Sequence, residues 1–423
     1  MAPLLLFSFI ALKLLQQVIE HGLARLNWRF VRDEHRQERA ARRLGISAEA
    51  MRQSHLYSLD RYRFGVVQSW VSTTALLAWL AAGGLGWLER FATTTVGRLV
   101  PGSVAAGLAF FLGLGVISFS LSLPFSVYET FVLEQRHGFN RQTPRGFFLD
   151  TVKAVLLTLM LGGGLAAVVL WLIERSGPLW WLWAWIVVTA FSVLTSWLYP
   201  RVLAPLFNRF APLPDGSLRD EILRLAMATG FSADGIFVMD ASRRSAHGNA
   251  YFTGLFGHKR IVLFDTLIEA LVPRAIVAVL AHELGHFKLG HVRWHLALGI
   301  GLSGVLFWVL GQCWQLRPFY QAFQLSEPSA HGALVVFGLW FGPIGFLLQP
   351  GLNAVARRHE RAADAFALQH VPARDLADAL LQLREKSHRL PLSHPVYSVV
   401  YHSHPPLLSR LESLGVGVAP DRD

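Results

Sequence analysis

The chain has a single cysteine, Cys313, among 423 residues. No intramolecular disulfide can form, so nothing argues for an oxidising compartment. Charge is scarce as well. Asp, Glu, Lys and Arg make up 16% of the residues, against roughly 25% in ordinary soluble domains. The net charge of +11 raises nucleic acid as a partner. The basic residues gather between apolar segments, however, and no nucleic-acid motif accompanies them. Membrane orientation explains them, and no nucleic-acid partner is expected. No internal repeat or low-complexity tract stands out, and no small-residue cleavage site follows the first apolar run. That run is also too long for a simple cleaved signal.

Apolar residues, by contrast, are abundant. They make up 53% of the chain, above the roughly 45–50% of soluble domains, and the mean hydropathy is +0.39. Fourteen Trp and 29 Phe fit a membrane chain, because aromatic side chains collect at bilayer interfaces. Six segments are free of charge over about the 20 residues a span needs: Phe64–Leu88, Gly102–Tyr128, Ala154–Ile173, Pro178–Pro200, Leu296–Leu316 and Gly332–Ala356. An earlier run, Ala2–Leu12, is interrupted by Lys13 and continues as KLLQQVIEHGLARL. Counted as a first span, it brings the total to seven. The LGGG patch at 161–164 allows helices to approach closely. Pro343 and Pro350 predict a bend or break in the last span.

Lys and Arg in the short loops set the orientation. Residues 20–63 carry ten Arg, and the 129–153 connection carries Arg136, Arg141, Arg145 and Lys153. The alternate connections hold only Arg90 and Arg98, then Arg175, then Arg317. With seven spans, this bias puts the N-terminus outside and the 201–295 loop and the C-terminus in the cytoplasm. Two regions are expected: 1–200 with five spans, and 201–423 with two more (about 296–316 and 332–356). In the long loop, SLRDEILRLAMATGF (217–231) has helical spacing and ends near Gly230. GIFVMDAS (235–242) and RIVLFDTL (260–267) read as short strands. Pro273 suits the first position of the next helix.

That helix carries AVLAHELGHFKLGH (278–291). His282 and His286 are i and i+4, so they share a face and can present two imidazoles to one ion. Glu283 is rotated roughly 100° away, where it can take a proton from a water that a metal has made acidic. A pentapeptide match of this kind arises by chance at roughly a few per cent, so context has to carry it. Two histidines need a third ligand, with one position left open. The best candidate lies in ARRHERAADAFAL (356–368). Glu360 and Asp364 are again i and i+4: Glu360 as ligand, Asp364 accepting a hydrogen bond from a ligand histidine and fixing its tautomer. The bland alternative is an exposed acidic pair among arginines. His291 would lie roughly 180° around from His282 if the helix continued, facing away from the ion. His247, His258, His295, His359 and His402 read as loop, interface or helix-surface residues.

HELGHFKLGH followed by RRHERAADAFA resembles the integral-membrane CAAX prenyl endopeptidases of type 1, zinc metalloproteases with a glutamate ligand. YETFVLEQRHGFNRQT (128–143), PLFNRFAPLPDGSL (205–218), RSAHGNAYFTG (244–254), KRIVLFDTL (259–267) and SHPPLLSRL (403–411) are similar to that family's pattern too. The likeness spans most of the chain, apart from the arginine-rich 30–60 region and the extreme C-terminus. It implies an all-α polytopic membrane protein whose seven helices enclose a chamber. A mostly helical protease domain with a small β hairpin or sheet would face the cytoplasm. The membrane implied is a bacterial inner membrane or the endoplasmic reticulum, depending on source. It implies one Zn2+ on His282, His286 and Glu360, with Glu283 as base and His404 stabilising the oxyanion. Arg410 would support the carboxylates alongside Asp364, and Asn249, with Ala250 and Tyr251 of the NAYF stretch, would bind substrate backbone. On their own, Asn249 reads as a turn-former after Gly248 and His404 as a loop or capping histidine. Arg361 stands where the family has an aromatic residue, a departure that touches local packing or membrane depth and leaves the ligands intact. The implied substrate is a peptide or prenylated protein C-terminus, cut after the modified cysteine to release a tripeptide.

Two rivals remain at this level. A quality-control membrane metalloprotease shares the chemistry but has fewer spans and no matching first half. A channel, receptor or inactive scaffold would leave the ionisable groups near the membrane without a purpose, and such groups are costly there.

Overall fold

The computed structural model describes residues 1–100, 102–232, 234–253 and 259–416; His258 lies outside them. Seven helices in these residues are long and apolar enough to cross a membrane: Ala2–Val31, Ala48–Ala81, Ser103–Glu134, Pro144–Arg175, Gly177–Phe207, His291–Cys313 and Ala330–Ala367.

Each expected span is present, but the helices do not respect the limits of the apolar runs. The second begins at Ala48, well inside the arginine-rich region, because Ser47 caps it by accepting from the Ala50 N–H. It stops at Ala81, short of the expected Leu88, because Gly83 turns the chain at φ 71°. A separate helix, Gly84–Phe91, then follows. Of the bend or break expected in the last span, the break is absent. The helix runs through Pro343 and Pro350 to Ala367, as membrane helices tolerate when neighbouring groups satisfy the freed backbone. One continuous helix therefore carries its apolar half and the Glu360–Asp364 turn.

Burial along the spans shows how they are arranged. At one end, Phe9, Leu80, Phe110, Leu170, Trp180, Leu310 and Val336, each from a different span, meet in one apolar cluster. At the other end the C-terminal half has its own core, built on the helices Ser217–Ala228, Pro273–Lys288 and Ala373–Lys386. Between the two, residues 111–132, 144–168, 185–203, 292–309 and 344–359 contain no buried side chain. A packed bundle would bury one stripe of each helix. Helices held together at both ends and unburied on every side in the middle enclose a chamber.

The sheet has four strands: β1 (Phe210–Pro212), β2 (Ile236–Met239), β3 (Ala250–Thr253) and β4 (Arg260–Phe264), in the order β1-β2-β4-β3. The two strands expected from sequence, β2 and β4, pair in parallel, while β3 pairs antiparallel with β4 and occupies an edge. Ala250 and Phe252 turn into the core of the C-terminal half, and Tyr251 turns to the opposite face against Phe264. β3 packs against the helix Pro273–Lys288, which carries the HELGH turn.

Candidate active site

Pro273 starts the helix Pro273–Lys288, and Gly290, at φ 73°, ends it. Its buried face, Ala275, Ile276, Ala278, Leu280, Ala281, Leu284 and Gly285, lies in the core of the C-terminal half. Across it runs the end of the seventh span. At Gly285 the two backbones come so close that an added Cβ would lie 3.0 Å from Ala363 Cα and 3.1 Å from its carbonyl oxygen. A methyl there would require the neighbouring backbone to give by a few tenths of an ångström, and the close approach brings the two i,i+4 pairs face to face. Gly285→Ala is accordingly expected to cost about 1–3 kcal/mol, the usual penalty of overpacking, and to show as a lower Tm. An unchanged melting curve would mean that the Ala363 backbone gives way freely.

The facing pairs form a compact polar cluster. His282 Nε2 lies 3.4 Å from Glu360 Oε2, and His286 Nε2 lies 3.2 Å from Glu360 Oε1. The two Nε2 atoms are 3.2 Å apart. A tetrahedral ion bound at about 2.0–2.1 Å requires ligand atoms about 3.3 Å apart; the two imidazole nitrogens have that spacing, and one ligand atom from each of the three residues lies within 4.8 Å of the others. Glu360 Oε2 is buried without a hydrogen-bond partner, which leaves a lone pair for an ion. Donor type, spacing and an unsatisfied oxygen all fit zinc.

Supporting groups surround the triangle. Asp364 Oδ1 accepts from His282 Nδ1 at 2.8 Å, which fixes the tautomer that turns Nε2 toward the triangle. Arg410 clamps Asp364 with two bonds, Nε to Oδ2 at 2.9 Å and Nη2 to Oδ1 at 2.5 Å. Its Nη1 is 3.8 Å from Glu360 Oε2. Burial alone would push the His282 imidazole down, but the Asp364 and Glu360 carboxylates outweigh it and hold it up at about 9. An arriving metal displaces that proton. Burial pushes the Glu283 carboxyl up, towards the range where a base works near neutral pH. His404, on the turn before the helix Leu407–Ser413, keeps 63% of its side chain exposed with Nε2 3.2 Å from Glu360 Oε1. The ring thus stands at the rim of the triangle.

The remaining expected binding residues lie at the start of β3. Asn249 is exposed, and its Oδ1 accepts from the Ala250 N–H at 2.9 Å, a local turn bond. Ala250 is buried against the core of the C-terminal half. Tyr251 pairs with Val262 on the inner side of the strand and sends its ring to the other face of the sheet. Arg361 is exposed.

His291 corrects its expectation. The helix does not continue, and the turn at Gly290 brings His291 Nδ1 to 3.0 Å from His286 Nδ1. Its ring stacks on His359 at 4.0 Å. His291 thus holds the far side of His286 as Asp364 holds that of His282. The available signal was Gly290 itself, a glycine at a helix end. Sequence reasoning also missed Glu134, on the third span. It accepts from Tyr57 Oη at 2.8 Å and Arg61 Nη1 at 3.0 Å, and lies 3.4 Å from His247 Nε2.

Comparison with known proteins bears on the whole chain. Residues 31–209 match the model for the CAAX prenyl protease N-terminal region with five membrane helices, and residues 212–416 match Peptidase family M48. A CAAX prenyl protease 1 homolog of Arabidopsis thaliana is 37% identical over 376 residues, covering 87% of this chain and 88% of that protein. The Homo sapiens homolog is 32% identical over 411 residues, covering 87% and 86%. The crystal structure of Ste24p from S. mikatae superposes with a TM-score of 0.89 at 28% identity, over 97% of this chain and 98% of that one. With both halves matched, this chain belongs to peptidase family M48, in its CAAX prenyl protease branch, and is a multi-pass membrane metalloprotease.

Proposed function

We propose that the protein is a zinc-dependent endopeptidase that removes the last three residues from prenylated CAAX-type C-termini at the cytoplasmic face of its membrane. The observation that carries the zinc assignment is the convergence of His282, His286 and Glu360, one ligand atom of each lying within 4.8 Å of the others. Bound there, zinc would acidify a water and polarise the scissile carbonyl. Glu283 takes the proton from the attacking water as its oxygen bonds to the carbonyl carbon. His404 donates to the oxygen of that carbonyl as negative charge builds on it. Glu283 then passes the proton to the leaving nitrogen as the C–N bond breaks. Asp364, His291 and Arg410 keep the ligands turned towards the triangle.

The substrate reading draws on the β3 edge and on the names of the relatives. An extended peptide can add to a free edge through main-chain bonds, and β3, which begins at Ala250 just after Asn249, packs against the helix that carries HELGH. The chamber offers volume beside the bilayer, where a lipid-tethered C-terminus arrives. Loop charge supports the cytoplasmic side for the protease half, 201–423, with 1–200 as the five-span half.

Purified protein incubated with farnesylated CAAX peptide, the unmodified peptide and an unrelated peptide tests this reading. Mass spectrometry should find the farnesylated peptide shortened by three residues, cleavage lost with chelator, and activity restored by zinc. Equal cutting of the unrelated peptide would overturn the substrate reading, and chelator-resistant cutting the zinc reading.

A further inference from the structure

A donor that stabilises a growing charge has to be held in place beforehand, yet His404 keeps 63% of its side chain exposed, so packing does not fix it. Its Nε2 lies 3.2 Å from Glu360 Oε1, and its Nδ1 lies 2.9 Å from Ser403 Oγ. The place of the ring therefore depends on how the backbone around it is anchored. Downstream, Pro405 is buried and Pro406 leads into the helix Leu407–Ser413, where Arg410 binds Asp364 of the seventh span. Two proline rings in a row fix φ, so that side is stiff from the histidine to its anchor.

Upstream, residues 396–403 contain no proline, and the hold is of another kind. A short helix, Pro395–Tyr401, ends at His402. The last carbonyls of a helix have no partner within it, and here the seventh span supplies one. Arg357 Nη1 donates to His402 O at 2.7 Å and lies 3.2 Å from Val399 O and 3.3 Å from Ser398 O. One turn earlier on the span, Asn353 Nδ2 donates to Val400 O at 2.6 Å. A cation is also the favoured charge at a helix C-terminus. Asn353, Arg357, Glu360 and Asp364 follow one another at the spacing of a single helix face. The face that presents Glu360 to the triangle thus grips the chain on both sides of His404.

We propose that Arg357 is a positioning residue: by holding the carbonyls of Ser398, Val399 and His402 it fixes the turn that carries His404 and keeps Nε2 at the rim of the triangle. The inference rests on the peptidase reading above, with His404 as donor to the carbonyl oxygen. Freed from Arg357, the turn keeps its downstream anchor but can swing about it, and a misplacement of about 1 Å can cost about 10²-fold in rate. The bond from His404 strengthens only as charge builds on the oxygen. Its loss therefore lowers kcat and leaves KM nearly unchanged.

The test is a double-mutant cycle in the full-length protein, with a farnesylated CAAX peptide as substrate. Arg357→Ala is expected to lower kcat about 10–100-fold, with KM and zinc content close to the wild type. His404→Ala is expected to lower kcat about 10²–10³-fold. In the double variant the losses should not multiply: kcat should stay within about threefold of His404→Ala alone, because Arg357 acts through a ring that is no longer there. Arg357→Lys keeps a cation that reaches the His402 carbonyl without the fork, and its kcat should lie between those of Arg357→Ala and the wild type. Wild-type kcat in Arg357→Ala, loss of its zinc, or losses that multiply in the double variant would each overturn the positioning role and leave the peptidase reading intact. Should Arg357→Ala not fold, the cycle of Arg357→Lys with His404→Ala decides by the same criterion. Wild-type kcat in His404→Ala would remove His404 as donor and Arg357 with it. No cleavage by the wild type would sink the peptidase reading as well.

Discussion

Glu283→Gln is expected to leave zinc bound at the wild-type level and to lower peptide cleavage by about 10²–10⁴-fold or more, the range that general acid–base catalysis supplies. The amide has the size and shape of the carboxylate but cannot accept and then return a proton. Zinc should stay because Glu283 lies about 100° around the helix from His282 and is not one of the three converging groups. The fold should stay as well, since Glu283 makes no ion pair among the described residues. Metal analysis and a cleavage assay on one preparation separate these effects. Turnover within about tenfold of the wild type would remove Glu283 from the proton path.

The parts of the site that share one helix are legible in the sequence, because the helical period alone decides which side chains share a face. His282 with His286, and Glu360 with Asp364, are found by counting. What counting cannot show is that the two helices touch. That depends on Gly285 packing against Ala363, a contact between residues far apart in the chain. His291 went astray because its expected direction assumed a continuous helix, and the turn at Gly290 reversed it. β2 and β4 were legible as strands, whereas β1, three residues long, carries too little alternation to be seen. The parallel pairing of β2 with β4 follows from chain topology and not from either strand's own pattern. Charge-free runs reveal the spans but not their ends, since a helix capped at Ser47 does not stop at a membrane border. Nor does an apolar run state whether it faces lipid or an enclosed space. The chamber becomes visible only where burial stops midway along the helices.

Glu360→Ala should have the largest effect on the metal. Removing a group that merely orients a ligand costs roughly 10–100-fold in affinity, and Asp364→Asn is expected to fall in that range. Removing a ligand leaves two imidazoles and no anion, so Glu360→Ala should lose zinc beyond that range and cleavage with it. Glu360→Gln should lie between the two, because its amide oxygen is a weaker, uncharged donor. The protein should nonetheless fold. Arg410 keeps both bonds to Asp364, so no charge is stranded in the core, and the Gly285–Ala363 contact is untouched. Thermal melts distinguish loss of metal from loss of fold. An ion that binds only the native state raises stability as its concentration exceeds the dissociation constant, so the zinc-loaded wild type should melt above Glu360→Ala. After chelation the gap should narrow to what the lost contacts of Glu360 with His282 and His286 contribute without metal. A gap unchanged by chelation would assign Glu360 to holding the seventh span to the HELGH helix and not to binding the ion. Full metal content in Glu360→Ala would remove it from the ligand set.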